Sequence, residues 1–273
     1  MNKGEITPSC RVLMLLTNEY RPDPRVRKEA VALTKNNYSV TIISWDRNKK
    51  HPKSEESEGV HLERVRTGSV TGPLGMVMNY PLFAVRATCR ALRSGFDSVH
   101  AHDLDTLLIG RLLAWLKGVP LVFDAHEQYG RMIRTDVPDS IARLAESLEK
   151  RLMSKVDLAI TVNGRIADRM RPNVKGSTIV IMNAVDVPGF KASNDNRPDG
   201  ELTLYYGGTL EPMRYIEEMV EAVGGAVGVR IVFAGNGRLR DFVEAASKMH
   251  SNIEFHGFLP HSTMMQEMSS ADV

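Results

Sequence analysis

Two short stretches carry the residue types on which chemistry most often depends. Ser98 to Asp103 reads S-V-H-A-H-D, and Phe123 to Glu127 reads F-D-A-H-E. In the first, alternation of period two places His100 and His102 on one face and Val99 and Ala101 on the other. His102 then ends the segment, where an imidazole can hydrogen-bond a hydroxyl or shuttle a proton, or simply be a satisfied polar residue. The second stretch brings an ionisable pair, His126 and Glu127, to the end of a neighbouring apolar run. Asp103-Leu104-Asp105 forms D-x-D, a spacing able to hold a divalent metal, although Asp103 as the N-cap of a helix over Leu104 to Leu116 is the simpler reading.

Other candidates would bind charge. Arg25 and Arg27 follow Pro24 in the first turn of a predicted helix, where cations oppose the dipole and are best accommodated by an anion. A solvated basic helix start is the plainer alternative. Tyr206-Gly207-Gly208-Thr209 precedes a helix predicted from Pro212 to Val223, and Gly235-Asn236-Gly237 precedes another. Glycines let backbone come close to a ligand, and helix N-terminal amides suit a diphosphate. Arg214, in that first turn, has a planar guanidinium that could grip phosphate. Singly, such glycine turns are ordinary connectors.

The elements that must position these residues alternate in a βαβ rhythm. Val12 to Thr17, Ser39 to Trp45, Val60 to Val65, Ser98 to Ala101, Leu121 to Asp124, Leu158 to Val162 and Ile179 to Ile181 read as short strands separated by helical segments. The predicted fold is α/β, with doubly wound parallel sheets whose ligands sit beyond the carboxyl ends of the strands. A first Rossmann-like domain is expected over 1–186. A polar linker follows over 187–201, then a second domain over 202–273 that repeats strand, glycine loop and helix. With about three strands, and Ala271-Asp272-Val273 resembling the opening of another, the second domain reads as incomplete.

Composition supports this outline. A length of 273 residues suggests about two domains, and a 42% hydrophobic, 25% charged chain excludes wholesale disorder. Cys10 and Cys89, the only cysteines, exclude a disulfide framework or a thiolate metal cluster and fit a cytoplasmic setting. No segment reaches the ~18 apolar residues of a membrane span. A net charge of +2 excludes a dedicated nucleic-acid binder. Arg86, Arg90 and Arg93 recur at helical spacing beside Leu82, Phe83, Val85 and Leu92, which suits peripheral contact with an anionic membrane from its inner face, or a solvated helix face.

The order and spacing of several stretches resemble glycosyltransferase family 4, retaining enzymes of the GT-B fold, from about Arg11 to Val273. They are N-E-Y-R-P-D-P-R-V-R-K-E-A, V-H-A-H-D-L-D, V-F-D-A-H-E, the N-A-V-D turn at Asn183 to Asp186, Y-Y-G-G-T-L-E-P-M-R, F-A-G-N-G-R-L and F-H-G-F-L-P-H. The resemblance implies an acceptor-side N-terminal domain, a C-terminal nucleotide-sugar domain and catalysis without a metal or other cofactor. His126 matches the family's histidine near the donor sugar, and His102 the other histidine-bearing strand end. Asn18 to Asp23 corresponds to the family's glycine-rich first loop but holds no glycine. Thr209 and Arg214 occupy the positions of the family's paired Arg and Lys. The E-x7-E motif is absent: Glu55 and Glu63 have its spacing, but they fall in a charged loop of the other domain.

These readings converge on transfer of a hexosyl unit from a nucleotide sugar to an acceptor hydroxyl, with retention. His126 and Arg214 are the expected catalytic residues. Gly207, Gly208, Thr209, Gly235, Asn236 and Gly237 would bind the donor, while Asn18, Arg25, His102 and Glu127 serve the acceptor side or the sugar. The alternatives are a nucleotide-sugar epimerase of the same fold and an inactive or acceptor-binding module.

Overall fold

The computed structural model describes residues 10–20, 23–68, 72–126, 139–184 and 200–273. The chain divides into two compact units, Met1–Ala184 and Val185–Val273. Of the stretch expected as a linker, positions 187–199 lie outside the described residues.

The first unit is built on eight strands: β1 (Cys10–Leu15), β2 (Tyr38–Trp45), β3 (Ser54–Ser57), β4 (Val60–Val65), β5 (Ser98–His102), β6 (Leu121–Ala125), β7 (Leu158–Thr161) and β8 (Ser177–Val180). Their order is β3-β4-β2-β1-β5-β6-β7-β8. Every neighbouring pair is parallel except β3 with β4. From β1 the chain passes to β2 and then to the edge strand β3, returns as β4 beside β2, and crosses to β5, from which it works outward on the other side. The reversal between β1 and β5 is the switch point at which open α/β sheets leave a crevice.

The central strands β1 and β2 are apolar on both faces, and helices cover both. Helix α1 (Pro24–Lys35) lays Val26 and Ala30 on Val12, Met14, Val40, Ile42, Val60 and Leu62. On the other face α2 (Gly72–Ser94), α3 (Asp103–Lys117), α4 (Asp139–Met153) and α5 (Gly164–Met170) meet Leu13, Leu15, Ile43, Val99, Ala101 and Phe123. Alternate strand residues therefore belong to different cores. Trp45 of β2 stacks on Phe83 of α2, with ring centroids 4.8 Å apart, and donates to Thr67 Oγ1 at 3.1 Å. Such pairs add about 1 kcal/mol to their buried area.

β3 corrects the expected charged loop around Glu55. Ser54–Ser57 has no apolar residue to signal a strand, yet it pairs with β4 through a turn at Glu58 and Gly59, both at positive φ. Buried Arg64 holds the hairpin, donating to Glu55 Oε1 at 2.8 Å and to the Pro52 carbonyl at 2.9 Å.

The second unit has a parallel sheet in the order β11-β10-β9, from β9 (Leu202–Thr209), β10 (Val229–Asn236) and β11 (Ile253–Gly257). Helices α6 (Ile216–Val223), α7 (Arg240–Met249) and α8 (His261–Ser269) accompany it. Leu210, Ile216, Val220, Ile231, Phe233 and Val243 form its core. Past α8, the Asp272 amide donates to the Thr203 carbonyl and the Tyr205 amide to that of Val273, both at 2.8 Å, so the chain runs along the outer edge of β9.

Two expectations are corrected here. Gly207 and Gly208 are strand residues of β9, in register with Ala234 and Gly235 of β10, rather than a turn. Nor is Pro212 to Val223 one helix. Pro212–Arg214 is a 3-10 turn, Tyr215 adopts φ +58°, and the α-helix begins at Ile216. Arg214 thus stands just ahead of α6 instead of in its first turn. Among the described residues no helix is long and apolar enough to cross a membrane.

Candidate functional site

The face of the first sheet that packs under α1 changes character at the switch point. On β1, β2 and β4 it presents Met14, Ile42 and Leu62. On β5 and β6, in register with those strands, it presents His100, His102 and Asp124. A surface that could have continued as core instead buries titratable groups, and His126, just past β6, joins them.

The cluster is tightly connected. The His100 and His102 rings stack, with centroids 4.3 Å apart. His102 Nδ1 lies 3.1 Å from Asp124 Oδ2, which fixes the proton on that nitrogen, since a carboxylate can only accept. His126 Nε2 stands 2.6 Å from the same oxygen. Glu29, half-buried on α1, brings Oε2 to 3.7 Å from His100 Nε2. Among the described residues, His102 Nε2, His126 Nδ1 and Asp124 Oδ1 are buried without a hydrogen-bond partner.

The electrostatics follow from this crowding. Burial pushes the Asp124 carboxyl up, but hydrogen bonding from His102 and the closeness of His126 outweigh it and hold the group well below the ordinary carboxylate range. Burial, followed by the charge of Asp124, drives Glu29 up to about 9. Burial and then His102 keep His100 well below the usual imidazole range. At neutral pH the cluster therefore contains an ionised Asp124, a protonated Glu29 and a neutral His100.

Around the cluster the expected residues take different roles. His102, not Asp103, occupies the cap position of α3, without a side-chain cap bond. Asp103 is the first helical residue, at φ +61°, which overturns its reading as the N-cap. Asp105 accepts from Thr17 across the switch point, and burial raises it to about 6. Asn18 Nδ2 donates to Asp23 Oδ2 at 2.7 Å and its Oδ1 accepts from the Tyr20 amide at 2.7 Å, so its side chain braces the loop after β1. Asp23 caps α1 through the Val26 amide. Arg27 is engaged by Glu58, whereas Arg25 stays half-buried, 4.0 Å from Asp23. Glu127 lies outside the described residues.

The sequence reading joined His102 to His126 without their connector, Asp124, and missed Glu29. Register supplies the first, because His102 and Asp124 are Cα partners. Spacing signals the second, because Arg25 and Glu29 lie one helical turn apart on α1.

In the second unit the candidates are mainly backbone. A Cβ on Gly235 would stand 1.8 Å from the Gly208 carbonyl oxygen, and one on Gly237 2.3 Å from that of Leu210. Both glycines are thus required by the close approach of β9 and its following loop to β10. Thr209 pairs with Asn236 at the carboxyl ends of these strands, and Asn236 Oδ1 accepts from the Gly237 amide at 2.9 Å. Arg214 is exposed, and its guanidinium makes no side-chain hydrogen bond or ion pair among the described residues. Arg238, by contrast, is paired with Glu211. Glu217 and Glu218 occupy the first turn of α6, so negative charge already faces the positive end of that helix dipole.

Comparison with known proteins gives this arrangement a context. Residues 22–181 match the family model described as glycosyl transferase 4-like domain. A chitobiosyldiphosphodolichol beta-mannosyltransferase from Dictyostelium discoideum is 22% identical over 244 residues, covering 77% of this chain and 49% of that protein. The chain thus spans about half the length of this curated relative. Sucrose-phosphate synthase from Thermosynechococcus elongatus superposes with a TM-score of 0.75 at 16% identity, over 96% of this chain and 74% of that one. Anabaena HepE, solved in complex with UDP, gives 0.63 at 13% identity, over 95% and 72%. These likenesses show a shared fold, that of the GT-B glycosyltransferases.

Proposed function

The chain belongs to the glycosyl transferase 4-like family, and from that premise we propose that its protein transfers a hexosyl unit from a nucleotide sugar to an acceptor hydroxyl, with retention and without a catalytic metal. The observation that carries this reading is His126, fixed beside Asp124 at a strand end and buried with Nδ1 unpartnered among the described residues. Such a nitrogen suits recognition of a sugar hydroxyl.

In this reading the bond from the anomeric carbon to the donor phosphate breaks as the bond to the acceptor oxygen forms. The acceptor proton passes to the departing phosphate oxygen on the same face, so no protein base is needed. Negative charge grows on the diphosphate, and Arg214 with the amides around Thr209 opposes it. A uridine diphosphate sugar is the first donor to try, because HepE was solved with UDP.

Inversion is a second reading, favoured by the relative's beta-mannosyl product and by the Asp124–His126 contact, which resembles a base held by its orienting carboxylate. The anomeric configuration of the product, read by NMR from a defined nucleotide sugar, separates the two. An Arg214→Ala variant of the complete protein with undiminished turnover would refute the assignment of that residue. Rearranged sugar formed without acceptor would point to an epimerase, and absence of donor binding to an acceptor module.

Membrane contact belongs to the same proposal, with a surface that keeps only part of the one read in the sequence. Arg86 and Arg90 donate to the Arg66 and Arg64 carbonyls, and Phe83 is buried. Exposed Val77, Leu82 and Val85 of α2 and Leu108, Leu112 and Trp115 of α3, beside Arg93 and Lys117, are what a bilayer could receive. Flotation with acidic liposomes at low salt tests this: the protein should rise with them, and its remaining at the bottom removes the idea.

A further inference from the structure

We propose that Glu29, His102, Asp124 and His126 form a binding site for one divalent transition-metal ion of the zinc class. Each offers one ligand atom, and these four atoms lie within 4.8 Å of one another. Glu29 Oε2, His102 Nε2, Asp124 Oδ1 and His126 Nδ1 are all buried without a hydrogen-bond partner among the described residues, so donor capacity is already desolvated and unspent. His102, Asp124 and His126 are each more than nine-tenths buried.

The geometry is close to what such an ion requires. Ligand atoms at about 2.0–2.2 Å from a tetrahedral zinc stand roughly 3.3–3.6 Å apart. The shortest approaches, His102 Nδ1 to Asp124 Oδ2 at 3.1 Å and His126 Nε2 to the same oxygen at 2.6 Å, are made on the opposite ring edges from the unpartnered His102 Nε2 and His126 Nδ1, so the ion enters either by replacing the proton shared there or after the rings turn. Strand register holds His102 against Asp124, and the less buried Glu29 enters from α1 as the adjustable fourth ligand. His100, stacked on His102 with its Nε2 3.7 Å from Glu29 Oε2, is placed to orient both from behind.

Donor chemistry selects the ion. Two imidazoles favour zinc, cobalt or nickel over magnesium or calcium, which prefer an all-oxygen shell. On binding, Glu29 would release its proton to solvent, and two carboxylates with two neutral imidazoles then bring a charge of about −2, which a divalent cation cancels within a buried site. D-x-D plays no part in this, since Asp105 is engaged by Thr17. Because the ion would occupy the imidazole of His126, zinc should inhibit the transfer proposed above, although the binding claim stands independently of that reaction.

The test is titration of the full chain, stripped by chelator, with Zn2+ followed by calorimetry and Co2+ followed by visible absorbance, in the absence of donor. The expected result is saturation at about one ion per chain, tetrahedral cobalt bands, and no response to Mg2+. Glu29→Gln and His126→Gln should each weaken binding by at least ~10-fold while keeping the wild-type circular dichroism. No saturable zinc binding, or wild-type affinity in both variants, overturns the site. If His126→Gln fails to fold, Glu29→Gln decides alone. Failure of the wild-type chain to bind zinc, with its glycosyl transfer intact, would refute this inference and leave the functional reading standing.

Discussion

The two units end their central strands in opposite ways. In the first, the carboxyl ends of β5 and β6 deliver buried side chains whose charges depend on one another, with Asp124 ionised and Glu29 protonated. In the second, the ends of β9 and β10 deliver backbone, brought together by glycines, with an exposed Arg214 nearby. The first arrangement offers placed nitrogens and oxygens of the kind that suit hydroxyls. The second suits a phosphate, which needs amides and positive charge but little shape. A change of side-chain chemistry should therefore damage the first most, and the addition of a single carbon the second.

The sharpest test of this contrast is Asp124→Ala, which strips His102 and His126 of their shared partner and should cost about 4 kcal/mol of stability at neutral pH. Denaturant unfolding across pH adds the sign. The folded-state pKa of Asp124 is depressed, so its contribution is present above the ordinary aspartate range and is lost as pH falls through and below it. The gap between wild type and variant should close in acid, and a gap that widens there would contradict the assigned charge. Gly235→Ala comes next. Its Cβ meets the Gly208 oxygen at 1.8 Å, so the second unit should lose about 3 kcal/mol, seen as early proteolysis confined to residues after 200.

Arg214→Ala should leave folding unchanged, because the side chain is exposed and unpaired among the described residues, but lower turnover of the complete protein about 100-fold. The smallest effect is expected at Glu149 on α4. Burial, then Glu146, raises it to about 7. Its stabilising protonated form is fully present below the ordinary glutamate range and is lost as pH rises through 7, so Glu149→Gln should gain about 1 kcal/mol at pH 8 and nothing at pH 4. Thermal melts at the two pH values check it.

The sheet of the first unit was legible because β1 and β2 are apolar on both faces, and β4, β5 and β6 on at least one, where they meet helices. β3 escaped because its pairing depends on Arg64 and Glu55, a contact between polar residues that no hydrophobic pattern announces. The break at Tyr215 escaped for a similar reason. A tyrosine at positive φ is uncommon, and Pro212 to Val223 reads as one unbroken helix. At the site, the two imidazoles stood out as strand-end residues, whereas Asp124 acquires its role only through register with β5, and Glu29 only because α1 is folded over that face.

Calorimetric titration of the complete protein with UDP and with UDP-glucose, in wild type, His126→Ala and Arg214→Ala, bears most directly on the division of labour between the two strand ends. Arg214→Ala should weaken both ligands, and His126→Ala the sugar nucleotide alone. Equal loss of both ligands in both variants, or undiminished binding of UDP-glucose by His126→Ala, would contradict it.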